Sequence, residues 1–194
     1  ATFAYNILLL MVIAGIIGIG TSSIVAVLGS AGLAVGLALQ GSLSNLAGGV
    51  LILLLKPFRV GDYIITAGAE GTVMSIDIFY TRIATTDNKV VVIPNGTISN
   101  SNVTNTTKQD ERMLVLEFTV SLDANIEEVK TEIMKLIEGN ERILHEMNRC
   151  VVVDKLTPVN IKMQAKAWTK SEDYWDVKYL LLEQISIVLQ GFRG

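Results

Sequence analysis

Histidine and cysteine, the side chains best suited near neutral pH to metal ligation, nucleophilic attack and proton shuttling, occur once each in this 194-residue sequence, as His145 and Cys150. A catalytic dyad needs a nucleophile with a base beside it, and a metal cluster needs several ligands at short spacing. One cysteine also rules out an intrachain disulfide. His145 therefore reads as a surface or capping residue. Asp62, Glu70 and Asp87 read as turn or surface residues, and no spacing pairs carboxylates as acid and base. There is no phosphate-binding loop. Gly18-Ile19-Gly20 is too short a piece of a dinucleotide fingerprint, and no soluble strand precedes it. Asn95-Gly96-Thr97, Asn102-Val103-Thr104 and Asn105-Thr106-Thr107 have the spacing of glycosylation acceptors, without meaning in a cytoplasmic domain. The expectation is a protein that is not an enzyme and holds no cofactor and no metal.

The elements around these residues explain why chemistry is sparse. No charged residue and no histidine occurs from Ala1 to Leu55; all 16 Lys and Arg and all 19 Asp and Glu lie from Lys56 onward. The second part has about the 25% charged content of a soluble domain. The first is a membrane segment. A net charge of −3 argues against a nucleic-acid partner, which would want a basic face. The apolar start lacks a basic leader and runs on into a second apolar stretch, unlike a signal peptide.

Within residues 1–55 the pattern predicts an outer helix over 1–20, a turn at Gly18–Ser23 and a pore-lining helix over 24–40. A kink at Gly41 then leads to an interfacial helix over 42–55 that lies against the soluble part. Helical spacing sorts residues 24–40 into faces. One stripe holds Ala26, Gly29, Leu33, Leu37 and Gln40, flanked by Gly32 and Gly36 on one side and by Ser30, Ala34 and Ala38 on the other. A glycine groove and an Ala/Ser ridge suit head-to-tail packing of identical helices, which closes into a ring when the rotation allows. Leu33 and Leu37 would then be stacked rings around a hole that blocks ions by dewetting. The same wheel also fits Gly-rich helices in a transporter or a dimer anchor. Lys56 and Arg59 place the soluble part in the cytoplasm by the positive-inside rule.

The run from Ala26 to Gly49, followed in order by Lys56-Pro57-Phe58-Arg59-Val60-Gly61-Asp62, Glu70-Gly71-Thr72-Val73 and Val92-Ile93-Pro94-Asn95-Gly96, closely resembles the small-conductance mechanosensitive (MscS-like) channels of bacteria. The resemblance covers Thr21 to Gln190. It implies a homoheptamer in the bacterial inner membrane, multi-pass, gated by tension and releasing ions and small osmolytes on hypo-osmotic shock. It places the gate at Leu33 and Leu37, pore-helix packing at Gly29, Ser30, Gly32, Ala34, Gly36 and Ala38, and a helix break at Gly41. It assigns force transmission to Leu39 and Leu43, through contact with the outer helices, and helix–β-domain contact to Asn45, Asn95 and Gly96. Family members of this size carry three membrane helices where this sequence has room for two, and they continue past the last helix into a barrel-forming strand. The alternative reading is a membrane-anchored oligomeric scaffold or signalling module without conductance.

Residues 56–107 read as a small β domain, which the resemblance makes an Sm-like barrel: strands at Tyr63–Ile65, Gly71–Ser75, Thr81–Thr85 and Val90–Ile93, with a turn at Pro94-Asn95-Gly96. Residues 108–194 read as an α+β domain, ferredoxin-like in outline. Its strand Leu114–Val120 is followed by a helix opened by Asn125 and Glu128, with apolar face Ile126, Val129, Ile133 and Leu136 or Ile137. Strands at Val151–Val153 and Ile161–Trp168 and a helix over Tyr174–Gln190 with Leu180, Leu181 and Leu182 complete it.

Overall fold

The structure, a computed structural model, describes residues 2–18 and 21–192. The elements in chain order are α1 (Thr2–Ile16), α2 (Thr21–Leu55), β1 (Tyr63–Thr66), β2 (Ala69–Ile76), β3 (Tyr80–Ala84) and β4 (Val90–Pro94). They continue as α3 (Asn95–Ser99), β5 (Val103–Asn105), β6 (Glu111–Val120), α4 (Ile126–Glu138), β7 (Cys150–Leu156), β8 (Ile161–Lys170) and α5 (Tyr174–Gln190). The chain divides into two compact units, residues 1–61 with 65–104, and residues 62–64 with 105–194.

Two expectations for the membrane part are corrected. α2 is a single 35-residue helix that stays helical through Gly41, so 24–40 and 42–55 are not separate helices. Glycine weakens a helix by about 1 kcal/mol but removes no hydrogen bond, whereas proline removes one. The helix accordingly runs on to Leu55, two residues before Pro57, where Lys56 takes a left-handed φ of 48°. α1 stops at Ile16, and Gly18 also adopts a left-handed φ of 79°. Among the described residues, only α2 is long and apolar enough to cross a membrane, against the expected two helices. α1, at 15 residues, is about 22 Å long, short of a hydrocarbon core of about 30 Å. The expected turn at Gly18–Ser23 falls partly on Ile19 and Gly20, which lie outside the described residues; Thr21, Ser22 and Ser23 are already helical.

The β domain is a five-stranded sheet in the order β4-β3-β2-β1-β5. β3 pairs antiparallel with both neighbours, placing Thr81 opposite Ile76 on β2 and Ile93 on β4. Phe58, Ile64, Val73, Ile83, Ile93 and Ile98 are its buried apolar residues. The sequence reading found four of its strands and missed β5, which is three residues long. It also read Pro94-Asn95-Gly96 as a turn; Asn95 instead opens α3.

The second unit holds a three-stranded antiparallel sheet in the order β6-β8-β7, with α4 and α5 contributing to one core. The alternation read in the sequence fixes its register: Ile161, Met163, Ala165 and Ala167 are all buried. Asn125 caps α4, its side chain accepting from the Glu128 N–H at 3.4 Å, and Val129, Ile133 and Ile137 form the inner stripe. On α5 the stripe is Val177, Leu181 and Ile185, and Leu180 is 46% exposed.

Candidate functional site: the two halves of α2

α2 is about 51 Å long from Ser22 to Leu55, some 20 Å more than a hydrocarbon core. About 20 of its residues suffice to span, and the surplus corresponds to the segment from Ser42 onward. The two halves differ in what they touch.

In the N-terminal half the shielded positions are Ile24 and Leu28. α1 packs against α2 and has its own shielded stripe of Ile7, Met11 and Ala14, at helical spacing i, i+4, i+7. At about 100° per residue, Ile24 lies about 180° and Leu28 about 140° from Leu33. Leu33 and Leu37 therefore face away from α1, and they are 65% and 62% exposed in the single chain. Leu39 lies within about 20° of Leu28 and continues the α1-facing line toward the C-terminus. Leu43 is displaced by about 60° from that line and is also exposed. Gly29, Gly32, Gly36 and Gly41 have nothing within 4 Å of where a Cβ would be. Ser30 satisfies its own hydroxyl, donating to the Val27 carbonyl at 2.8 Å. Ala34 and Ala38 are exposed on the opposite flank.

The C-terminal half is different. Asn45, Gly48, Gly49 and Ile52 form a shielded stripe at i, i+3, i+4 and i+7, and α2 packs there against α3. A Cβ on Gly48 would lie 2.6 Å from the Asn95 carbonyl oxygen, and one on Gly49 would overlap the Ile78 carbonyl oxygen and sit 2.6 Å from Asn95 Nδ2. These two glycines are there for backbone approach. On the other side of the contact, a Cβ on Gly96 would lie 2.8 Å from Asn45 Oδ1.

Asn95 sits at the centre of this contact, fully buried. Its backbone N–H donates to the Phe79 carbonyl at 2.9 Å. Its side-chain Nδ2 donates to the carbonyls of Asp77 (2.8 Å) and Ile78 (3.1 Å), and its Oδ1 accepts from the Thr81 hydroxyl at 2.8 Å. The next N–H, of Gly96, donates to Asn45 Oδ1 at 3.0 Å. α3 has Pro94 at its N-cap and no cap from its own neighbours; Asn45, 51 positions upstream, supplies an acceptor for an N-terminal N–H instead. The structure thus brings Asn45 to the Gly96 backbone. Thr81, Asp77, Ile78 and Gly48 were not among the site residues expected from the sequence. Gly48-Gly49 followed by Val50-Leu51-Ile52 was the one available signal, two costly residues side by side inside an apolar helix.

The remaining singled-out residues do not converge. His145 is exposed and its carbonyl accepts from Arg149 Nη1 at 2.8 Å; Cys150 is half-buried at the start of β7. Asp62 accepts from Asn105 Nδ2 at 2.7 Å, and Glu70 is exposed on β2. Lys89 and Thr85 hold the Asp87 carboxyl below its ordinary value in the turn between β3 and β4. Among the described residues no group of three or more His, Cys, Asp and Glu is placed to hold a metal ion.

Comparison with known proteins agrees with this architecture. Residues 41–108 match the β-domain of mechanosensitive ion channels, and residues 114–190 match the C-terminal part of the mechanosensitive channel MscS. An uncharacterized MscS family protein of Buchnera aphidicola is 40% identical over 167 residues, 84% of this chain and 59% of its own length. The small-conductance mechanosensitive channel of Helicobacter pylori is 32% identical over 98% of this chain and 70% of its own length. The crystal structure of Helicobacter pylori MscS in its closed state superposes with a TM-score of 0.85 at 31% identity, over 94% of this chain and 73% of that one. The chain spans 55% to 59% of the length of the first three curated relatives it matches. With both soluble regions matched in order and a relative aligned along nearly the whole sequence, this chain belongs to the family of small-conductance mechanosensitive channels.

Proposed function

We propose that this chain is the subunit of a tension-gated channel in the bacterial inner membrane, with its soluble domains in the cytoplasm. Copies assemble as a ring, a heptamer by analogy with the family, that releases ions and small osmolytes on hypo-osmotic shock. The N-terminal half of α2 lines the pore. Leu33 and Leu37 close it, about 6 Å apart along the axis. Gly29, Gly32 and Gly36 of one copy receive Ser30, Ala34 and Ala38 of the next, and Gly41 is where α2 bends as the ring changes state. Leu39 and Leu43 take up movement from the outer helices, and Asn45, with Asn95 and Gly96, anchors α2 to the Sm-like β domain.

The observation that carries this reading is the contrast between the two sets of glycines. Gly48 and Gly49 are explained by contacts inside the chain. Gly29, Gly32 and Gly36 meet nothing inside it, yet each costs the helix about 1 kcal/mol relative to alanine. Close approach to a second copy accounts for that cost, and the leucine face lies between the two flanks such packing would use.

The test is an excised-patch recording from protein reconstituted in lipid, under a pressure ramp. Unitary currents that rise with tension are expected. A ring that assembles and never conducts would leave the scaffold reading instead.

A further inference from the structure

We propose that Thr81 is a positioning residue for the junction between α2 and the β domain, acting through its hydrogen bond to Asn95. The proposal extends the channel reading, and only its electrical consequence depends on that reading.

Thr81 lies on β3, fully buried, with Ile76 and Ile93 opposite it. Valine has the same shape and suits such a site better, because a buried hydroxyl is costly unless it is hydrogen-bonded. Here the hydroxyl donates to Asn95 Oδ1. The hydroxyl, which can donate or accept, supplies the donor that Oδ1 needs, while the neighbouring carbonyls select one of two orientations of the Asn95 amide. In the observed one, Nδ2 faces the two carbonyl acceptors of Asp77 and Ile78. Turned over, Oδ1 would face those two carbonyl oxygens with no donor between them. Thr81 and the turn from Asp77 to Phe79 therefore hold residue 95 at four points, counting its backbone N–H.

The peptide that leaves Asn95 is the part α2 grips. Its carbonyl oxygen fills the space a Gly48 Cβ would need, and its N–H, that of Gly96, meets Asn45 Oδ1. A line of contacts thus runs from Thr81 through the Asn95 amide and the 95–96 peptide to Asn45. Removing the Thr81 hydroxyl leaves a buried acceptor without a donor, and the relaxation available to it is movement of Asn95, which loosens the Gly96 amide.

Amide hydrogen exchange on the full chain in nanodiscs tests the positioning role without reference to conduction. In Thr81→Val the Gly96 amide exchanges about tenfold faster, the effect of losing one well-placed buried hydrogen bond. The paired amides of β3 and β4 keep their protection, and Thr81→Ser restores the parent rate. Unchanged Gly96 protection overturns the proposal, as does an equal loss across the β3–β4 ladder, which signals general loosening. If T81V does not assemble, Thr81→Cys, with its weaker donor, gives the same comparison with a smaller acceleration. In patch recordings the closing and recovery kinetics of the double variant T81V/N45A match those of N45A alone; additive changes overturn the proposed route. A parent that passes no tension-dependent current would remove the channel reading and leave the exchange result standing.

Discussion

Replacing Gly49 by alanine separates helix propensity from close packing, because the two predict opposite signs. Alanine in a helix interior is favoured over glycine by about 1 kcal/mol, so a Gly49 kept only for suppleness would yield a more stable variant. The structure predicts the reverse. The added methyl would overlap the Ile78 carbonyl oxygen and lie 2.6 Å from Asn95 Nδ2, both fixed groups rather than the far ends of flexible side chains. To restore an ordinary contact near 3.5 Å, α2 must withdraw from the β2–β3 turn by about 1 Å. That movement lengthens the Gly96–Asn45 bond, now 3.0 Å, beyond hydrogen-bond range. Overpacking costs about 1–3 kcal/mol and the lost bond about 1 kcal/mol, against the 1 kcal/mol gained by the helix. The net is a loss of about 1–3 kcal/mol, or about 2–12 °C in Tm for a chain of this size. Thermal unfolding of the detergent-solubilised protein, alongside Gly36→Ala as control, measures it. The control substitutes a glycine with open space around it in the chain, so G36A leaves the junction intact and shows its effect in assembly or gating. A G49A protein as stable as its parent would refute the close-packing argument.

Three further outcomes are expected. Leu33→Ser or Leu37→Ser removes about 2 kcal/mol of apolar transfer per copy from the proposed constriction, so the channel is expected to open at lower tension in a pressure ramp; an unchanged threshold in both places the gate elsewhere. Ala34→Val or Ala38→Val adds bulk to the ridge expected to enter the next copy's glycine groove, and cross-linking plus recording should show impaired assembly or a raised threshold; parent-like behaviour removes the flank assignment. Lys56→Gly relieves a left-handed residue at φ 48° and raises stability by about 0.5–1 kcal/mol, read as a rise in Tm.

What could be read from the sequence was whatever depends on local pattern. The boundary between charge-free and charged segments, the alternation along β8 and the limits of α5 all follow from periodicity and composition, and the structure places them as expected. The junction could not be read in the same way. α3 is five residues long, too short for a periodic signal, and the acceptor at its N-terminus comes from a residue 51 positions away. Asn95 has the sequence signature of a turn, Pro-Asn-Gly, and that local preference loses to four hydrogen bonds supplied by the β2–β3 turn and β3. Gly41 shows the opposite error. A Gly-Ser pair suggests an interruption, but without a proline the backbone ladder stays continuous and the helix passes through.

Continuity changes what the proposed gate asks of α2. On an ideal helix the α1-facing line of Ile24 and Leu28 lies about 180° from the leucine face, and the docking stripe of Asn45, Gly48, Gly49 and Ile52 is centred about 90° from each, its Gly48 edge within about 20° of Leu37. In the proposed reading one element thus turns different, partly adjoining sides to the pore axis, α1 and the β domain. Because hydrogen bonding is unbroken from Thr21 to Leu55, turning the leucines away from the axis must twist the stripe at Asn45, Gly48 and Gly49 unless the helix yields between them. Gly41 lies midway between Leu37 and Asn45, with open space around it and the lowest resistance to bending among nearby residues. In the proposed reading a stiffer residue there, Gly41→Ala, makes pore and junction move together. Opening would then strain the Asn45–Gly96 bond, and Gly96 amide protection would fall under tension in G41A while the parent keeps it. Equal protection in both would mean that the yielding point lies elsewhere in the helix.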